Sequence, residues 1–151
     1  MKSPSALTDP MPVPRLHAQT VGNVGLYYVC YRLSRFGWNV MPTSRNARGI
    51  DVLAYSQNAK IKVAIQVKAL TKRDPVPLGT HLEGLFGDFL VICRMVQTDS
   101  PECFVLTAAE ACARAHEGIS PKDGKKSYWL EPKDYEDAAF RDAWLRMGSG
   151  L

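Results

Sequence analysis

The sequence predicts an α/β fold, a three-layer α/β/α sandwich with a central mixed β-sheet and a C-terminal strand-helix extension. The chain has 151 residues, 46% of them hydrophobic, which suits one domain with a buried core. The predicted order is helix, three strands, helix and strand, and then strand, helix, strand and helix. Elements mixed in this way are typical of a sheet that carries helices on both faces.

The first part of the sequence predicts a disordered N-terminal arm followed by a helix. Residues 1–19 hold four prolines among small polar residues and predict a disordered N-terminal arm. A helix is predicted over residues 20–36, because Thr20 suits an N-cap, apolar residues recur near helical spacing, and Gly37 ends the pattern. A short strand over residues 38–42 and a polar loop over 43–49 follow.

Two β-rich runs over residues 50–56 and 61–68 flank a polar break, and this pattern predicts a β-hairpin. In the second run apolar and polar residues alternate, as they do in a half-buried strand. With Asn58 and Ala59 as the turn, the numbers of paired residues sum to 117.

This register brings three polar side chains together near the open end of the hairpin. Asp51 faces Gln66, and directly opposed residues lie about 5 Å apart at Cβ. Lys68 lies on the same face as Gln66, because residues two apart in a strand share a face. We therefore expect a carboxylate, an amide and an ammonium group to converge there.

The remaining elements are short apolar runs between turn signals. We expect a basic, proline-broken loop over 71–79, a short helix over 82–86, strands over 89–93, 103–106 and 127–130, and helices over 107–116 and 134–147. Thr107 and Glu110 form a capping box, and Gly118 closes that helix. Phe140, Trp144 and Met147 line one stripe of the last helix, which indicates packing.

We predict a single domain over residues 20–147, with a core over 20–93, an extension over 94–147 and a flexible tail over 148–151. The four cysteines form no C-x-x-C pair and have no histidine at a metal-ligand spacing, so they predict reduced thiols. No apolar run reaches the roughly 20 residues of a membrane helix. We expect a cytoplasmic protein with no membrane partner.

The charge of the chain is concentrated in one segment. Residues 32–73 hold nine basic residues against one acid, Asp51, a net +8, whereas residues 74–151 hold eight basic residues against thirteen acids, a net −5. A polyanion is the natural partner of such a basic segment, although lysines and arginines also populate any solvated surface.

The residues around the hairpin resemble a nuclease family. Gly49-Ile50-Asp51 and Gln66-Val67-Lys68, after a helix that ends in Gly37-Trp38-Asn39-Val40, resemble the PD-(D/E)XK nuclease superfamily. This restriction-endonuclease-like fold includes Holliday-junction resolvases and many small bacterial nucleases, and the resemblance covers about residues 20–93.

The resemblance implies roles for three residues. Asp51 matches the aspartate that ligates Mg²⁺ (or Mn²⁺), Gln66 stands at the second acidic ligand, and Lys68 matches the lysine that orients or activates the attacking water. A divalent cation would neutralise charge on the phosphodiester and supply a hydroxide-like nucleophile near neutral pH.

The sequence departs from the family pattern in three places. Ile50 replaces the proline of the motif, and Gln66 replaces an acid with a neutral amide. Many relatives also carry a glutamate on the first helix, but residues 20–50 contain no acid, and Asn23 is the nearest substitute, as a neutral ligand or as a helix-start residue. With one carboxylate ligand, we expect the metal to bind weakly without substrate.

Three hypotheses of function follow. The first is a metal-dependent nuclease that hydrolyses DNA, in which the backbone is held by basic residues: Arg45, Arg48, Lys62, Lys72 and Arg73. The second is a catalytically impaired nucleic-acid-binding module of the same fold. The third is a protein-interaction domain, a homodimer built through the aromatic C-terminal helix, with no role in nucleic-acid binding.

Overall fold

The structure is a computed structural model that describes residues 13–44, 49–85 and 87–151 and has a mixed α/β fold. Its helices are α1 (Ala18–Arg35), α2 (Ala108–Arg114) and α3 (Pro132–Tyr135), with 3₁₀ helices at Leu82–Gly84 and Trp144–Met147. Its strands are β1 (Asn39–Pro42), β2 (Val52–Tyr55), β3 (Lys62–Ala69), β4 (Val76–Gly79), β5 (Phe89–Arg94), β6 (Glu102–Thr107), β7 (His116–Ile119) and β8 (Lys126–Leu130).

Five strands form the mixed sheet, in the order β1-β2-β3-β5-β6. Only the β3–β5 pair is parallel; β1–β2, β2–β3 and β5–β6 are antiparallel. The predicted hairpin register is confirmed, since Val52 pairs with Ile65 and Tyr55 with Lys62. The mixed sheet that the sequence predicted is thus present.

The hairpin turn is wider than the predicted two residues. Ser56 N donates to Ile61 O at 2.9 Å, and Ala59 has a φ of 58° inside the four-residue loop. Gln57 is drawn to the C-terminal residues instead of pairing across the loop: its backbone N donates to Gly150 O at 2.7 Å. Residues 148–151, which we expected to form a flexible tail, therefore lie against this turn.

Helix α1 packs on one face of the large sheet, and its close approach to β3 depends on Gly25. Val21, Val29 and Leu33 recur at four- and eight-residue spacings and are buried against β-strand residues. A Cβ at Gly25 would overlap Ala69 Cβ, so the helix can approach β3 this closely only because Gly25 has no side chain. The helix begins at Ala18, two residues before the predicted start, with His17 as its N-cap.

A second sheet, in the order β4-β8-β7, covers the other face of the large sheet at β5 and β6. The sequence analysis missed β4, which lies in the predicted loop over residues 71–79, and β7, which contains Gly118. In β4, Val76 and Leu78 are buried and alternate with exposed residues. Both strands are four residues long and contain glycine or proline, so pairing with β8 decides their structure.

Helix α2 starts as predicted, with Thr107 as its N-cap. The Thr107 side chain accepts from Glu110 N, and the Glu110 carboxylate accepts from Thr107 N, which completes the capping box. The helix ends at Arg114, because the chain turns into β7 at His116. The short helix predicted over residues 82–86 is a 3₁₀ helix, and residue 86 itself lies outside the described residues.

The predicted helix over residues 134–147 is wrong. Helix α3 ends at Tyr135, and the chain then bonds to the edge of β6, with Val105 N donating to Phe140 O at 2.8 Å and Asp142 N donating to Cys103 O at 2.9 Å. Phe140 therefore packs in the core under the second sheet, whereas Trp144 and Met147 pack in the core under α1. All three side chains are buried, so the aromatic stripe is packing, as predicted.

All four cysteines are free, and Cys30, Cys93 and Cys103 are buried. Within the described residues, no helix has both the length and the apolar character needed to cross a membrane.

Candidate active site at the open end of the β2–β3 hairpin

Asp51 is placed at the end of the sheet by hydrogen bonds to both neighbouring strands. Its backbone O accepts from Thr43 N and its backbone N donates to Ile65 O, both at 2.9 Å. Because Ile65 is already the partner of Val52, two residues at the start of β2 oppose one residue of β3, which is a β-bulge. Asp51 is thus displaced from the regular position opposite Gln66.

The bulge turns the Asp51 carboxylate toward β3. Its Oδ2 accepts from Val67 N at 2.7 Å, so the carboxylate takes the place of a strand carbonyl at this point. Oδ1 has no hydrogen-bond partner among the residues that the structure describes. One oxygen of Asp51 therefore holds the sheet together, and the other is free to bind a ligand.

Gln66 and Lys68 occupy the same face of β3, as predicted. Val63 and Ile65, on the opposite face, are buried against α1. Gln66 Oε1 is buried, and it has no hydrogen-bond partner within the described parts of the chain. A buried carbonyl oxygen without a donor is uncommon in folded proteins, because it loses its bonds to water without replacement.

Lys68 is a partly buried cation near Asp51. Burial lowers the pKa of the Lys68 ammonium below its usual 10.5, and the negative charge of Asp51 acts in the opposite direction. Lys68 forms no ion pair within 4 Å with any residue in the described ranges 13–44, 49–85 and 87–151. The fold thus keeps a cation whose charge is not fully compensated.

Helix α1 brings Asn23 to the same end of the sheet. Asn23 and Asp51 both line a cavity of about 210 Å³ between the second turn of α1 and the ends of β1 and β2. The other lining residues are Gly22, Leu26, Thr43, Ser44 and Val67. The sequence analysis missed Thr43 and Ser44, although extending the β1–β2 register by one residue pairs Thr43 with Asp51.

Gln66 and Lys68 do not line this cavity, because they lie on the other face of β3. The structure therefore brings Asn23 and Asp51 to one cavity, and it brings Lys68 close enough to Asp51 for their charges to interact. The single shared face predicted for Asp51, Gln66 and Lys68 is replaced by a site at the sheet end, where Asp51 stands between the two faces.

A larger cavity of about 390 Å³ lies on the open face of the hairpin, toward its turn. Its lining is mainly apolar and includes Met41, Leu53 and Tyr55. The one carboxylate there, Asp88, accepts from Ala64 N at 2.8 Å and so joins β3 to the start of β5. This carboxylate has a structural role in the sheet.

Three of the five basic residues predicted to hold a nucleic-acid backbone lie in the described part of the chain, and they are dispersed. Arg45 and Arg48 lie outside the described residues. Lys62 is exposed at the far end of β3, about 20 Å from Lys68 along the strand. Lys72 is exposed in the loop after β3. Lys72 lies four residues after Lys68 in the sequence.

Arg73 has a partner within the protein. Its guanidinium binds both carboxylate oxygens of Glu136, with Nη2–Oε2 at 3.1 Å, and the bond from Nε completes the bidentate pair. Arg94 binds the same carboxylate. In this structure Arg73 is paired within the protein, and because Glu136 lies 63 residues away in sequence no local pattern signals the pair.

The donors at this end of the sheet are oxygen atoms, and oxygen is the ligand type that Mg²⁺ and Mn²⁺ prefer. Asp51 supplies a carboxylate between the two faces of the sheet, Asn23 an amide oxygen on the α1 side, and Gln66 an amide oxygen on the opposite side. Across the described residues, no group of three or more His, Cys, Asp or Glu side chains is arranged to hold a metal ion. The donor set therefore fits a cation that takes its remaining ligands from water and phosphate.

Comparison of the chain with protein-family models, with curated proteins and with solved structures found no match.

Proposed function

We propose that the protein is a metal-dependent nuclease that hydrolyses phosphodiester bonds in DNA. The observation that carries the proposal is the partly buried, unpaired Lys68 beside Asp51, with an unpartnered amide oxygen two residues away on Gln66. Perturbed titratable groups and unsatisfied buried polar atoms concentrate at functional sites. Packing in the fold alone explains neither the unpaired charge of Lys68 nor the unpartnered oxygen of Gln66.

The proposal includes a finer description of the fold. Residues 20–93 would form a restriction-endonuclease-like core of the PD-(D/E)XK type, and residues 94–147 an extension that completes the far layer of a three-layer sandwich. Support comes from the strand directions, since β1, β2 and β3 form an antiparallel meander and β3 is parallel to β5. Helix α1 covers one face of these strands.

Asp51 and Gln66 would hold the metal ion on the face of β3 that carries Lys68, whereas Asn23 lies in the cavity on the α1 side of Asp51. The metal would supply Lewis-acid stabilisation of the phosphate charge and a water of lowered pKa. The bulge at Asp51 fixes the carboxylate through Val67 N and leaves Oδ1 directed away from that bond. One carboxylate is enough for Mg²⁺ when substrate phosphates complete its coordination.

Lys68 would orient the attacking water and stabilise negative charge on the phosphate. An ammonium group donates hydrogen bonds and does not compete for the metal. Burial lowers the Lys68 pKa, which brings the group closer to the range where it can transfer a proton. The net +8 of residues 32–73 would attract the polyanionic substrate to this end of the sheet.

The test is cleavage of plasmid and branched DNA in Mg²⁺ or Mn²⁺, with purified wild-type protein and the variants Asp51→Ala and Lys68→Ala. We expect cleavage by the wild type and at least about a 100-fold loss in each variant, the scale of removing a proton-transfer or charge-stabilising group. Lys122→Ala, in the exposed β7–β8 turn, is the matched control and should cleave normally. Cleavage that survives both site substitutions would overturn the assignment.

A second reading, a nucleic-acid-binding module without turnover, is favoured by the absence of a cluster of three or more metal-ligating acids, histidines or cysteines among the described residues. Binding would then be salt-sensitive and would survive Asp51→Ala. The variant Gln66→Glu separates the two readings further, because a second carboxylate should strengthen binding of Mn²⁺ alone if Asp51 and Gln66 share a metal site.

A further inference from the structure

Two buried cysteines face each other across β5 and β6, and neither has a role in the proposed nuclease chemistry. Cys93 and Cys103 are direct register partners, and both are 0% exposed. Their side chains lie in the core between α1 and the large sheet, together with Trp144 and Met147.

The backbone hydrogen bonds show which kind of antiparallel pair this is. Cys93 O accepts from Leu70 N at 2.8 Å, on the side of β3, and Cys103 O accepts from Asp142 N at 2.9 Å, on the outer side of β6. Both carbonyls point away from the partner strand, so the two cysteines form a non-hydrogen-bonded pair.

This type of pair has the spacing that a disulfide requires. Directly opposed residues at a non-hydrogen-bonded position have Cα atoms about 4.5 Å apart. Disulfides span Cα separations of about 4.4–6.8 Å. A bond between the two sulfurs therefore needs no shift in the register of β5 and β6.

We propose that Cys93 and Cys103 form a reversible disulfide across β5 and β6, by exchange with a low-molecular-weight disulfide. One cysteine thiolate attacks a sulfur of the small disulfide, forming a mixed disulfide and releasing one small thiolate. The second cysteine thiolate attacks the protein sulfur of that mixed disulfide, forming the Cys93–Cys103 bond and releasing the other small thiolate. The two protein thiols are oxidised by two electrons, and their two protons pass to the two released thiolates.

The surroundings make this exchange slow in the native state. The hydrogen bond with the Cys93 thiol, followed by burial, raises the pKa of the Cys103 thiol, and only the thiolate is nucleophilic. Residues 140–147 also cover the edge of β6: Phe140 O accepts from Val105 N at 2.8 Å, and Arg146 Nη1 donates to Val105 O at 2.7 Å. The exchange thus requires this segment to detach, or occurs while the chain folds.

The proposal is independent of the nuclease assignment, but the two sites are connected through β3. Ala69, which follows Lys68, is the register partner of Cys93 on the parallel side. A crosslink at Cys93 would therefore stiffen the strand that is bonded directly to the end of β3.

The test is refolding of the full chain from denaturant in a buffer of oxidised and reduced glutathione, followed by alkylation of free thiols and digestion with trypsin. Cleavage after Arg73, Arg94 and Arg114 separates the peptide with Cys93 from the peptide with Cys103. We expect these two peptides to be joined, with Cys30 alkylated, and to separate on reduction. Both cysteines alkylated after refolding in the oxidising buffer would overturn the proposal.

Cys112 lies on the same tryptic peptide as Cys103, so two variants assign the bond. Cys112→Ser should keep the joined peptides, and Cys103→Ser should lose them. The reverse result would also overturn the proposal. Should Cys103→Ser prevent folding, Cys103→Ala keeps a small apolar side chain in the core and must also lack the link.

Discussion

Arg94 and Lys68 are cations on adjacent strands of the same sheet, and their surroundings differ. Arg94 is 8% exposed; it binds Glu102 and Glu136 and lies 5.0 Å from the Phe104 ring centroid and 5.7 Å from that of Tyr135. Lys68 is partly buried, and among the described residues it has no ion pair within 4 Å. A paired buried charge is explained by the fold alone, whereas an unpaired one suggests a partner that is not part of the protein.

The largest effect is expected for Lys68→Met, which keeps the length of the side chain and removes the charge. Cleavage should fall by at least about 100-fold, because in the proposed mechanism this charge acts on the water or the phosphate. The free energy of unfolding should stay the same or rise by about 1 kcal/mol, because a desolvated and unpaired charge is removed. Metal-dependent cleavage and urea denaturation measure the two quantities.

A loss of both activity and stability in Lys68→Met would show that the fold needs Lys68, as it needs Arg94, and would contradict the difference drawn between the two cations. Lys122→Met, at an exposed turn of the second sheet, is the control and should change neither quantity.

Arg94→Met should give the opposite result. The substitution leaves the carboxylates of Glu102 and Glu136 without their shared cation, and we expect a loss of about 3 kcal/mol in the free energy of unfolding. Cleavage by the folded fraction should be unchanged. Urea denaturation, with cleavage assayed at a temperature where the variant is folded, tests both parts, and a stability within about 0.5 kcal/mol of wild type would show that the cluster is not structural.

The features that the sequence predicts correctly depend on residues close together in the chain, and most of those that it misses depend on residues far apart. The hairpin register follows from the alternation that buries Val63 and Ile65, and the capping box at Thr107 follows from four consecutive residues. The bulge at Asp51 does not follow, because it depends on Thr43 from another strand as well as on Ile65.

The extension was harder to predict for the same reason. The spacing of Phe140, Trp144 and Met147 fits a helix locally, but these side chains enter two different cores. The partner of Arg73 lies 63 residues away, so no local pattern could distinguish an arginine paired within the protein from one available to phosphate. Interactions between distant segments decided the bulge at Asp51, strand β4 and the path of the chain after Tyr135, whereas β7 pairs with the nearby β8.

Glu136→Gln should change how stability depends on pH. The bonds from Arg73 and then Arg94 lower the Glu136 pKa to about 2, from an ordinary value of 4.5. A carboxyl group with a lowered pKa in the folded state stabilises the fold above its ordinary pKa, and this contribution is lost as the pH falls from 4.5 toward about 2. The stability difference between wild type and Glu136→Gln should therefore be largest near pH 7 and shrink across that interval.

Urea denaturation at several pH values between 7 and 3 measures this difference. A difference that stays constant over the range would mean that Glu136 acts through its shape and neutral hydrogen bonds alone. Glu117→Gln is the matched control, since Glu117 forms an exposed pair with Lys126 at 3.2 Å. An exposed pair of this kind should contribute less than about 1 kcal/mol.

The smallest effect concerns two glutamines, one with a partner and one without. Gln66→Leu removes a buried Oε1 that lacks a donor, so the free energy of unfolding should rise by about 1 kcal/mol. Gln57→Leu removes a bond from Nε2 to Gly37 O, 2.6 Å long and exposed to water, so stability should fall by about 0.5 kcal/mol. Opposite signs in urea denaturation would mean that the fold does not need the Gln66 amide. A loss of stability in Gln66→Leu would instead assign that amide to the fold and remove it from the proposed metal site.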